Sequence, residues 1–183
     1  MRFRRKRATE QAGSGQAGSG QAGGGQAGGV QDGAEQDGAQ VLRDLRRVID
    51  RFGWAVLHGG GSSPGDPRYS YTVGLAAWQH PEVIVVGLPF QAGETYLNLV
   101  GEAVREGARF TTGAATTALT DADSPVVFLQ VTDTERLSVA EQFSGSVQAL
   151  QLVWPDSTGL LPWQEGHRNP PGAQPLLGPL PTE

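Results

Sequence analysis

Between residues 40 and 41 the chain changes character, and nearly everything able to fold lies beyond that step. Residues 1–40 contain almost no large apolar side chains. Glutamine recurs at 11, 16, 21, 26, 31 and 36, in QAGSG QAGSG QAGGG QAGG and then the looser QDGAE QDGAQ. A period of five fits neither the 3.6 of a helix nor the 2 of a strand, and it is far shorter than a solenoid unit. Gly-rich polar sequence buries too little apolar surface to offset the entropy of ordering, so 1–40 reads as a disordered basic and Gly/Gln-rich repeat tail. The tail opens with MRFRRKR, five positive charges in seven residues. A secretion signal would need an apolar stretch after those charges, and the polar ATEQAGSGQAGSG follows instead. A solvated tail is expected, capable of weak nucleic-acid contacts at most.

From Val41 the spacing becomes informative. Val41, Leu42, Leu45, Val48, Ile49 and Phe52 lie on one side of a helix that Gly53 ends. WAVLH (54–58) and RYSYTVGL (68–75) read as strands around the mobile loop GGGSSPGDP, and PEVIVVGLP (81–89) as a strand covered on both faces. AGETYLNLVGEAVREG restores helical spacing. A strand or two in ARFTTGAATTALTD, a strand in PVVFLQVT (125–132), a short helix in ERLSVAEQFS and a last strand in SVQALQLVWPD complete the pattern. These elements do not alternate as in a doubly wound fold. They predict one α+β domain over 41–178, a single mixed or mainly antiparallel sheet with two to three helices packed on one side, and a flexible end at 179–183.

Composition narrows the function. The formal charge of −5 divides into +1 for residues 1–40 and −6 for the rest. A mildly acidic domain argues against a broad phosphate-binding face. Cysteine is absent, which removes disulfides, thiolate nucleophiles and cysteine metal sites. No apolar run approaches the ~20 residues that cross a bilayer, so a soluble protein with no membrane partner is expected.

Four motifs occur in order: YTVGL (71–75), HPEVIVVGLP (80–89), QLVWPDSTGLLPW (151–163) and QPLLG (174–178). In these the chain resembles the domain-of-unknown-function 4262 family. The likeness covers roughly 41–178. It implies a bacterial, cytoplasmic, single-domain protein and brings no catalytic residues.

The chemistry-bearing residues are few. Three histidines, His58, His80 and His167, match no metal-ligand spacing, so no metal is expected. WPD resembles the acid loop of tyrosine phosphatases, but their cysteine nucleophile is missing. No phosphate loop follows a strand. A pocket is predicted where Tyr71, His80, Glu82, Trp154, Asp156 and Trp163 meet. Trp154 and Trp163 would either anchor the Pro-rich C-terminal ribbon against the strand carrying Tyr71 or form an aromatic ligand wall. Asp156 would either hold the PDSTG turn or act as an acid.

The leading reading is a binding or interaction module for a small molecule or a protein. The alternative is a small hydrolase-like enzyme using His80 with Asp156 or Glu82, with Ser70, Thr72 or Ser157 as the nearest hydroxyls. A third is a split-barrel flavin binder, although the strands lack a basic cluster for the flavin phosphate; no cofactor is predicted.

Overall fold

The computed structural model describes residues 31–63, 65–119 and 124–180, with side chains from Gly38 onward. The basic segment, the repeat as far as residue 30 and the C-terminal end at 181–183 lie outside the described residues. The elements run α1 (Gln31–Phe52), β1 (Ala55–Gly59), β2 (Tyr69–Val73), a 3-10 turn (Leu75–Trp78), β3 (Glu82–Val86), α2 (Phe90–Arg105), β4 (Ala115–Thr116), β5 (Val126–Gln130), a second 3-10 turn (Glu135–Leu137), α3 (Ser138–Ser144) and β6 (Ala149–Val153). This is the α+β order that the periodicity predicts.

Two differences are local. Helix α1 starts ten residues before Val41, inside the segment read as tail. The QDGAEQDGAQ stretch carries one glycine per five residues where the preceding repeats carry two or three, and each glycine costs a helix about 1 kcal/mol relative to alanine. The 3-10 turn after β2 had no periodic signal because four residues are too few to show one.

The six strands form one open sheet in the order β1-β2-β3-β6-β5-β4. Two antiparallel meanders, β1-β2-β3 and β6-β5-β4, meet at a parallel β3–β6 pair in which Glu82 faces Ala149 and Val85 faces Leu152. That central pair is buried throughout, as its sequence, apolar except for Glu82 and Gln151, requires.

The helices do not gather on one side. α2 lies on one face, where Leu97, Val100 and Val104 pack with Val83, Val85, Phe128, Leu150 and Leu152. On the other face Leu45 of α1, Leu137 of the second 3-10 turn and Ala140 of α3 pack with Tyr71, Val73, Ile84 and Val86. The C-terminal ribbon finishes that face, with Leu161, Trp163 and Leu176 against Val127, Leu129 and Val153. Both faces of β3 and β6 are mostly apolar and buried, so a one-sided arrangement would have left one of them in water.

Candidate functional site

The six residues expected to share a pocket fall into separate places. The parallel β3–β6 pair explains why: Glu82 and Ala149 start the two strands, and Val86 and Val153 end them. His80 and Glu82 therefore stand at one end of the sheet, Trp154 and Asp156 beyond the other, with ~13 Å of strand between. A His80–Asp156 acid–base pair is not assembled.

At the His80 end, both ring nitrogens of His80 and both carboxylate oxygens of Glu82 have partners. His80 Nδ1 lies 2.6 Å from the Pro81 carbonyl oxygen, and Nε2 lies 3.1 Å from the Phe110 backbone nitrogen. A carbonyl only accepts, so Nδ1 carries the proton and Nε2 accepts from the Phe110 N–H. Burial lowers the His80 pKa, the Pro81 carbonyl opposes that, and Arg109 adds to it. The ring is thus a neutral bracket between two loops. Glu82 Oε2 accepts from the Thr72 hydroxyl at 2.6 Å and Oε1 from the Gly74 N–H at 2.8 Å. Burial raises its pKa, while the bonds from Thr72, Gly74, Leu75 and Ala76 pull the other way. The carboxylate holds the start of the 3-10 turn. Clefts of about 350 and 680 Å³ flank this end, but neither His80 nor Glu82 presents an unused atom to them.

At the opposite end the ribbon is stitched down by amide groups. Gln174 accepts from the Trp154 N–H and donates to the Trp154 carbonyl, both at 2.9 Å. Gln151 accepts from the Leu177 N–H and donates to the Pro175 carbonyl, both at 2.8 Å. Each glutamine imitates a strand neighbour. Trp154 Nε1 donates to the Val86 carbonyl at 2.9 Å. Asp156 accepts from Thr158 N–H, Thr158 Oγ1 and Leu160 N–H through Oδ1, and from Arg168 N–H through Oδ2. Burial raises its pKa, but these four bonds outweigh that and hold the carboxylate well below its usual range. Trp163 packs on β5 and β6, three and two strands away from the strand β2 that carries Tyr71. Tyr71 belongs to the α1–α3 core, where burial and Tyr69 push its pKa up to about 12.

The three histidines have three different environments, and among the described residues no group of three His, Cys, Asp or Glu converges as a metal would require. His58 Nδ1 bonds Ser70 Oγ at 2.8 Å and His58 Nε2 lies 3.9 Å from Glu94. The types resemble a hydrolytic triad, yet Ser70 is buried beneath Gly93 and offers no approach to a substrate. The sheet is open at β1 and β4, unlike the split barrel of the flavin reading.

Besides a cleft of about 330 Å³ in the C-terminal ribbon, lined by His167 and Asn169, there is a groove of about 850 Å³ along β1. Trp54 and Val56 line it from the α2 face of the sheet, Ala55 and Leu57 from the α1 face. It therefore follows the outer edge of β1, which pairs with no strand among the described residues. Val41, Leu45, Val48 and Phe52 of α1 form an apolar wall; Glu94, Asn98, Glu102 and Arg105 of α2 form a polar one. Asn98 accepts from Trp54 Nε1 at 3.1 Å, and Arg105 lies over the Trp54 ring. Sequence reasoning missed this site. Its signal was the breadth of the apolar arc on α1: Leu45 is buried and Ile49 half-buried against the sheet, while Val41, Val48 and Phe52 remain 50, 41 and 54 % exposed.

Fold and groove together define an α+β domain with a mixed, open sheet and a strand edge that no described residue pairs with. Residues 48–168 match the family described as Domain of unknown function (DUF4262), and the chain belongs to that family. No curated protein matches the chain, and no solved structure does. Among the described residues no helix is long and apolar enough to cross a membrane.

Proposed function

We propose that this domain is a binding module whose ligand occupies the α1–α2 groove. One observation carries the reading: α1 turns Val41, Val48 and Phe52 into a concave groove when it already has Leu42, Leu45 and Ile49 for the core. A helix that serves only the core keeps its apolar arc inside, and a contiguous exposed patch marks an interaction surface. The groove volume falls in the ~300–1,000 Å³ range of ligand sites. The bacterial, cytoplasmic setting implied by the family resemblance belongs to this same reading.

Solution NMR on methyl-labelled protein tests it, using a library of small apolar compounds and short peptides. Hits should shift the Val41, Leu45, Val48 and Leu57 methyls first, and Val48→Gln should abolish the response without lowering Tm. Hits that gather instead at the His80 clefts or the C-terminal ribbon would sink the proposal.

A further inference from the structure

We infer that the ligand of this groove is an extended peptide that adds to β1 as a seventh strand, with side chains alternating between apolar and basic. The inference rests on the groove being the ligand site. The outer edge of β1 forms the groove floor, and an unpaired edge presents a row of backbone donors and acceptors. Adding a strand satisfies them, which is the main source of affinity in strand addition.

The walls then set the sequence. Successive side chains of a strand point to opposite faces of its sheet. On a strand beside β1, every second side chain meets α1 and the others meet α2. The α1 wall offers Val41, Val48 and Phe52 and asks for apolar partners. The α2 wall carries Glu94 and Glu102 against Arg105, and Asp44 adds a further carboxylate across the groove. Glu102 is already paired with Arg105 and Asp44 with Arg47, whereas Glu94 has His58 as its ion-pair partner rather than an arginine. Such a wall favours cations and rejects acidic side chains.

A second copy of the chain fits poorly. Its own β1 edge is flanked by α1 and α2, so an edge-to-edge pair would bring four helices to one seam. A single strand enters where a sheet cannot, and five or six residues, ~17–20 Å, would span β1.

Two capped peptides of identical lysine and valine composition test this on the full chain: one strictly alternating (KVKVKVK), one in blocks (KKVVVKK). Isothermal titration should show the alternating peptide binding about tenfold more tightly, and hydrogen exchange should show new protection at Ala55–Gly59. Methylating backbone nitrogens on one edge of that peptide should abolish binding, while the other edge tolerates it. Equal affinity for the two orders, no binding by either, or tolerance of methylation on both edges would overturn strand addition. Val48→Gln separates the two claims: if it weakens whatever binding is seen, the groove reading survives a failure of strand addition, and if binding is indifferent to it, both fall.

Discussion

The C-terminal ribbon and the α1–α2 groove border the same sheet and follow opposite rules. Along the ribbon, Gln151, Gln174, Trp154 and Asp156 find partners for their polar atoms, and Gly87 lets the Ala173 carbonyl approach where any Cβ would collide with it. Along the groove, apolar side chains are exposed and a strand edge pairs with no strand among the described residues. Tight satisfaction of buried polar groups is what a fold needs for stability. Surface left uncovered at a stability cost is what a binding site needs. His80, Glu82, Trp154 and Asp156, which look chemical in the sequence, have their polar atoms bonded, whereas His167 Nε2 and Asn169 Nδ2 in the ribbon are buried with no hydrogen-bond partner among the described residues.

The sharpest way to break that contrast is Glu82→Ala. It leaves the Thr72 hydroxyl and the Gly74 N–H without their buried acceptor, and at ~1–3 kcal/mol for each orphaned group the loss should reach about 3–5 kcal/mol in urea unfolding. A loss under ~1 kcal/mol would show that the node is not structural. Gly87→Ala comes next. At φ +88° and against the Ala173 carbonyl, a methyl should lift the ribbon and cost ~2–4 kcal/mol. Gln174→Ala, which abandons the Trp154 N–H and carbonyl, should cost ~1–3 kcal/mol; a neutral result would mean that water replaces the amide.

The pH dependence sharpens the same comparison. Glu82 has a raised pKa, so the folded state holds its proton above the ordinary value of 4.5, and stability falls as pH rises from there through the folded value. Asp156 has a depressed pKa, so its contribution is complete above the ordinary 3.8 and is lost as pH falls toward the folded value. Melting curves across the acid range should therefore lose their downward limb in Glu82→Gln and their acid-side rise in Asp156→Asn. The smallest effect belongs to the groove: Val48→Gln should change folding stability by no more than ~0.5 kcal/mol while removing ligand binding. A large destabilisation there would make Val48 a core residue and collapse the distinction.

Much of the fold was legible in the sequence. The order of helices and strands, the two-sided burial of PEVIVVGLP and the single α+β sheet followed from periods of 3.6 and 2, which are local properties. The site was not legible. His80, Glu82, Trp154 and Asp156 drew notice by residue type, but type does not say whether a buried polar group is already bonded. The partners lie far away in sequence: Phe110 for His80, Gln174 for Trp154, Arg168 for Asp156.

By itself, then, the sequence determined the main helices and strands from Val41 onward, because that information sits in neighbours a few residues apart. Only the tertiary structure decided that β3 and β6 run parallel, which carries HPE and WPD to opposite ends of the sheet. It also decided that α1 and α2 lie on opposite faces of the sheet and, among the described residues, leave the β1 edge open. Both outcomes depend on contacts between distant segments, and no local period encodes which distant segment will be met.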